Sequence, residues 1–321
     1  MARGKLLISV CAAAALVASV ASAQTPSAGR PPLQIAWSPK KTPYTAYQAP
    51  NRAWWKLADV LAMHKGQKDW SQPIVRNKDL MADWHQMAPG GRTPEVEYPD
   101  NRTGIIVWAG QIKVSIKGQE PFVAGKGFQI DVPFRLPFTL EAVGSEPALW
   151  FEVHAAGDVP IYPVGSSPDK PKDVPGFTYQ KTVLMGGDGK YDDVNKPYLD
   201  YFKDVIAKYP NGGGGWPFFF VNDKENQLAI IRGMGVPTPP PTNRGHFHVG
   251  TDEFWFIPEG KIDYLIEGVG LITANAGDLV YVTPGRFHRA SFAPGQMDTR
   301  LAFNRSPTMV HNFAEDANGR Q

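Results

Sequence analysis

The chain of 321 residues repeats itself at an offset of 150. At that shift Gly110-Gln111-Ile112-Lys113 falls on Gly260-Lys261-Ile262-Asp263 and Gly127 on Gly277, with 16 residues between the two glycines in both copies. The same offset lays Leu149 to His154 over Thr299 to Asn304, both β-like runs. One matched glycine pair arises easily by chance. Agreement of gap, flanking β-branched runs and offset is what a duplicated unit leaves behind. The length holds two moderate units, each able to bury a core.

The second copy contains a set of side chains that the first lacks. His246 and His248 flank Phe247, Glu253 follows after four residues, Gly260 after six more, and Gly277, Asp278, Pro284, Gly285 and His288 complete the stretch. Three imidazoles and a carboxylate are a first-row transition-metal ligand set. Side chains two apart on a strand share a face, so His246 and His248 can serve one ion. Glu253 comes from the next strand after a short turn, and His288 returns after a Pro-Gly turn. Ordinary polar side chains on a half-buried sheet would not fall at four such positions together with the turn glycines.

These residues resemble the cupins. The family's first motif runs Gly, five residues, His-x-His, three or four residues, Glu, six residues, Gly; His246, His248, Glu253 and Gly260 keep it, with Pro240 where the first glycine is expected. In the second motif Gly277, Gly285 and His288 fit, while Thr283 replaces the proline and Phe292 the asparagine. The resemblance implies small jelly-roll-like β-barrels and a mononuclear ion held by His246, His248, Glu253 and His288. With the repeat, it becomes a resemblance to a two-barrel cupin over about Glu95 to Pro307. In the first copy the ligand positions are Val96, Tyr98, Thr103 and Phe138, so that barrel is degenerate.

Met1 to Ala23 has Arg3 and Lys5, an apolar run from Leu6 to Val20, and Ala21-Ser22-Ala23 before Gln24, the layout of a cleaved secretory signal. The product is expected to be exported, periplasmic or extracellular, and to begin at Gln24. No later stretch of about 18 uninterrupted apolar residues suggests a spanning helix. Cys11, the only cysteine, lies in the signal, which leaves no disulfide and no lipid anchor. The 33 basic residues less Arg3 and Lys5 leave 31 against 31 acidic, so no global charge points to nucleic acid or an anionic membrane.

The expected organisation is all-β dominated. Residues 24–94 read as an N-terminal arm and helices: an extended arm to about Pro50, a helix over Asn51 to Met63 with Asn51 as N-cap, and a second over Asp79 to Met87. His64 and His85 in this region read as surface groups. Residues 95–160 form the degenerate barrel and 161–217 a long inter-barrel insertion. Asp192 to Tyr209 reads there as one helix, and Gly212 to Gly215 as a turn, since no Lys-Ser or Lys-Thr follows. Residues 218–310 form the metal barrel, opening with strands at Phe218 to Val221 and Leu228 to Arg232, and 311–321 a tail.

A three-His, one-Glu set on an octahedral ion leaves two positions open, which suits divalent Fe, Mn, Ni or Cu better than closed structural zinc. Cupins of this kind imply dioxygenation, decarboxylation or isomerisation of a small chelating substrate. The first expectation is a dioxygenase-type oxidoreductase on an aromatic, diketone or enol substrate, with O2 as co-substrate. The alternatives are an oxalate-type decarboxylase or isomerase, and a non-catalytic binding barrel. Oligomeric state is left open. Glu253 is a ligand or a base, Arg244 and Arg300 are candidate anchors for a substrate anion, and Arg286 and Arg289 are expected to point outward.

Overall fold

The duplicated pattern appears in the backbone pairing, residue for residue. In the computed structural model, residues 35–165, 171–212, 217–222, 227–235, 243–304 and 309–315 are described. Early elements are β1 (Trp54–Trp55), α1 (Leu57–Met63), β2 (Trp70–Arg76) and β3 (Leu80–Met87). The first barrel continues through β4 (Thr103–Ala109), β5 (Gln111–Ile116), β6 (Phe122–Ala124), β7 (Phe128–Val132), β8 (Phe138–Val143) and β9 (Ala148–Ala155). Next come β10 (Tyr198–Asp200), a π-helical turn (Tyr201–Ile206), β11 (Pro217–Asn222) and β12 (Gln227–Gly233). The second barrel adds β13 (His246–Phe247), β14 (Glu253–Glu259), β15 (Lys261–Ile266) and β16 (Gly270–Asn275). β17 (Leu279–Val282), β18 (His288–Phe292), β19 (Asp298–Asn304) and β20 (Asn312–Phe313) complete it.

Each barrel is two antiparallel sheets. The first pairs a six-stranded sheet, β10-β7-β4-β9-β3-β2, with the three strands β6-β5-β8; the second pairs β1-β17-β14-β19-β12-β11 with β16-β15-β18-β13-β20. The 150-residue offset holds in detail. Thr103 faces Val132 as Glu253 faces Val282. Gly127 N donates to Val107 O as Gly277 N donates to Ile257 O. Strand alternation sends Trp255 and Ile257 of β14 into their own barrel, and Phe254 and Phe256 into a core shared with the first barrel. Phe151 and Phe256 stack there at 5.7 Å between centroids. Truncating either ring would cost about 3–5 kcal/mol.

Three expected helices come out differently. Asn51 does not cap α1; its side chain bonds both backbone groups of Arg76, and α1 begins at Leu57, whose N–H is taken by Asp278 Oδ1 at 3.1 Å. The segment expected as a helix over Asp79 to Met87 is strand from Leu80, because Leu80, Ala82 and Trp84 are buried at a period of two. Asp192 to Tyr209 splits after Pro197 into β10 and the π-helical turn, which Asp200 caps through the N–H groups of Phe202 and Lys203. The strands expected at 218–221 and 228–232 are β11 and β12. The signal segment, Gly213 to Trp216 and Val236 to Thr242 lie outside the described residues. No helix among the described residues is long and apolar enough to cross a membrane.

From Ser38 the chain packs on its own second barrel. Thr45 O accepts from Thr283 Oγ1 at 2.6 Å and from Arg286 Nε at 3.3 Å, and the Arg286 guanidinium lies 3.9 Å from the Tyr44 ring centroid and 4.4 Å from that of Tyr47. Arg286 is therefore buried, against the expectation that it points outward. The last described stretch, expected as tail, supplies β20 beside β13.

Candidate metal centre

β13, β14 and β18 bring His246, His248, Glu253 and His288 together in the interior of the second barrel. His246 sits directly opposite His288, and His248 follows at the end of β13. The approach of the strands depends on Gly245 at φ 76°, where a Cβ would lie 2.1 Å from His288 O. Gly285, at φ 83°, donates its N–H to His248 O at 2.8 Å and closes the turn that returns His288.

All four side chains are buried, and one ligand atom from each lies within 4.8 Å of the others. His248 Nε2 is 3.0 Å and His288 Nε2 3.4 Å from Glu253 Oε2. Bond lengths of about 2.0–2.2 Å place opposite donors on one ion about 4 Å apart, so the cluster needs little closing to hold one. The outer nitrogens agree. His248 Nδ1 faces Val310 O at 2.8 Å and His288 Nδ1 faces Arg286 O at 3.0 Å. Carbonyls at Nδ1 fix the tautomer that offers the Nε2 lone pair inward, the arrangement by which a protein orients metal-ligating imidazoles. The donor set fits a divalent transition metal.

The electrostatics of three of the ligands follow from their mutual contacts. Burial alone would raise the Glu253 carboxyl, but the hydrogen bonds and charges of His248 and His288 hold it well below its ordinary value. Burial, then repulsion from His288, pushes His246 well below its ordinary value, so it stays a neutral donor. His248 moves upward: the bond and charge of Glu253, with the Val310 carbonyl, outweigh burial.

Of the two candidate arginines, Arg300 is buried in the second barrel, its guanidinium 5.7 Å from the Trp255 ring centroid, and Trp255 lies 5.4 Å from the His288 ring. Arg244 is exposed and lies over Phe287 at 4.7 Å. The strand alternation that would turn it toward His246 is interrupted by the left-handed Gly245. His311 has no spacing signal in the sequence; its ring stands 4.7 Å from His246 and 4.8 Å from His248.

The matching place in the first barrel holds different chemistry. Val96 is bridged to Phe138 as His246 is to His288. Tyr98 and Thr103, in the places of His248 and Glu253, surround His154, with the Tyr98 ring at 4.1 Å and Thr103 Oγ1 at 3.4 Å. His154 Nε2 meets Glu152 at 2.6 Å, and Trp150 donates to the same carboxylate at 2.7 Å. A buried acid–base pair fills this interior. His85 and His64 are spoken for, His85 by Ser71 and the Trp150 ring, His64 by Gln67, Gln72 and the Trp70 ring.

Comparison with solved structures decides the fold. Salicylate 1,2-dioxygenase from Pseudaminobacter salicylatoxidans is similar with a TM-score of 0.59 at 12% identity, over 84% of this chain and 88% of that one. The chain has the two-barrel cupin fold. A variant of the same dioxygenase in complex with gentisate gives 0.59 at 12% over 82% and 85% of the two chains. A tryptophan variant of Bacillus subtilis oxalate decarboxylase gives 0.50 at 13% over 83% and 80%. No family model matches the sequence, and no curated protein matches it either. The cupin likeness therefore rests on backbone shape, with a ligand set that was already legible in the sequence.

Proposed function

We propose that this cupin is an exported mononuclear metal enzyme, a dioxygenase-type oxidoreductase acting on a small chelating aromatic or enolic substrate. The observation that carries the reading is the buried cluster of three imidazoles and one carboxylate, with two outer nitrogens fixed by carbonyls. His246, His248, Glu253 and His288 would hold a divalent transition ion, which would supply Lewis-acid and redox chemistry to a chelating substrate. Salicylate dioxygenase among the similar structures supports the aromatic class.

The chain's own residues do the rest. Glu253 is the one carboxylate of the set and lies against His248 and His288, which places it to accept the proton of an incoming substrate hydroxyl. Arg300, buried in the second barrel beside Trp255, anchors a substrate anion from inside the barrel, whereas exposed Arg244 is less suited to that task. We assign one ion per chain, to the second barrel, because Val96, Tyr98, Thr103 and Phe138 supply neither imidazole nor carboxylate.

The test is O2 uptake by protein loaded in turn with Fe(II), Mn(II), Ni(II) and Cu(II), against gentisate, salicylate, catechol, a flavonol and a 1,3-diketone. Metal-dependent O2 consumption with at least one of these is expected. CO2 release from oxalate without net O2 consumption would replace the reading with a decarboxylase, and inactivity throughout with a binding barrel. Export is tested separately: the mature amino terminus should read Gln24-Thr25-Pro26, and an exported fraction beginning at Met1 would contradict it.

A further inference from the structure

The metal ligands are not the last histidines in this barrel. Residues 309–315 lie across β13 as a strap: Phe313 pairs with His246, Asn312 pairs with Phe247 and donates from its side chain to Phe247 O at 3.2 Å, and Ala314 N donates to Gly245 O at 2.7 Å. Val310 O, from the same strap, accepts the Nδ1 proton of His248. These bonds seat the strap against the strand that carries two of the four ligands. They also fix where His311 stands.

His311 is exposed on one side and packs on the other against two ligand rings, at 4.7 Å from His246 and 4.8 Å from His248. Its Nδ1 faces Met309 O at 3.2 Å, which leaves Nε2 as the ring's remaining polar atom. The Phe313 ring lies nearly parallel to it at 6.0 Å and 16°. A polar ring that is exposed yet packs on two of the ligand rings, on a segment hydrogen-bonded in place, stands at the solvent edge of the cluster.

We propose that His311 is a substrate-contacting residue whose Nε2 accepts a hydrogen bond from a hydroxyl of a chelating ligand seated against His246, His248, Glu253 and His288. This rests on the metal-enzyme reading above and adds to it a residue supplied by the C-terminal strap. It makes the strap part of the binding site, beyond its part in covering the barrel edge. His311 is not itself one of the four clustered donors, so its loss should leave the ion in place.

The test uses full-length protein and two variants, His311→Phe, which keeps a ring without polar atoms, and His311→Gln, which keeps a polar group of similar reach. Each is loaded with Fe(II), assayed for iron per chain, and titrated with 4-nitrocatechol under anaerobic conditions by the change in its visible absorption. All three should hold one ion per chain. His311→Phe should bind the probe about tenfold or more weakly and His311→Gln within about threefold of the parent, the loss expected when one partner of a buried hydrogen bond is removed. Equal binding by His311→Phe and the parent would overturn the proposal, as would equal weakening in both variants, which would make the ring's role purely spatial. Iron loss confined to the variants would also overturn it, by placing His311 in metal retention instead. A parent that takes up iron and binds no 4-nitrocatechol would overturn the chelating-substrate reading and this residue's role together.

Discussion

His246 and His288 lie directly opposite each other across an antiparallel strand pair, and 150 residues earlier Val96 faces Phe138 in the same way. One backbone geometry has thus been used twice, once for two imidazoles and once for two apolar side chains. In the second barrel the close approach depends on Gly245.

Gly245→Ala should therefore damage stability and metal uptake together. Its Cβ would meet His288 O at 2.1 Å on a backbone of positive φ, a combination worth about 2–4 kcal/mol. Gly250→Ala is the control, since nothing lies within 4 Å of the added carbon. Urea unfolding should show the loss in the first variant only, with reduced metal per chain. Equal midpoints for the two variants would remove the close contact from the account.

Glu253→Gln separates the roles of base and ligand, because it keeps an oxygen donor and loses the basic carboxylate. Three imidazoles can retain the ion, so metal per chain should stay near that of the parent while turnover falls about a hundredfold or more. A parallel fall of metal and turnover would make Glu253 chiefly a ligand. Full metal with full turnover would take it out of the reaction.

The first barrel should show an acid limb of its own. Burial raises Glu152, but the His154 hydrogen bond, the charges of His85 and His154 and the Trp150 bond bring it down to about 2 from 4.5. A carboxyl depressed in the folded state stabilises above its ordinary pKa, and that contribution is lost as pH falls from about 4.5 toward 2. The melting-temperature gap between the parent and Glu152→Gln should narrow as pH drops from 5 to 2.5. A gap that holds constant over that range would show that Glu152 is not ionised in the fold.

What the sequence made legible was local or periodic. His246, His248, Glu253 and His288 stand out because ligand spacing on adjacent strands is written in the chain, and Arg300 because alternate β19 residues face inward. Leu80, Ala82 and Trp84 alternate as a strand should, yet Asp79 to Met87 read as a helix because a short apolar segment satisfies both periods. Asn51 looks like a cap, but its side chain is taken by Arg76 in β2, a partner that no local pattern shows. Arg286 and His311 are positioned by Tyr44, Tyr47 and the β13–β20 pairing, contacts across more than 60 residues of sequence that only the fold brings together.

The most direct test of the central claim is the metal-to-protein ratio, measured by native mass spectrometry with elemental analysis, for the parent and for the double variant His246→Ala, His248→Ala. The account predicts one ion per parent chain and none in the variant, with both barrels still folded. Two ions per chain, or a ratio unchanged by the double substitution, would contradict a single site built from His246, His248, Glu253 and His288.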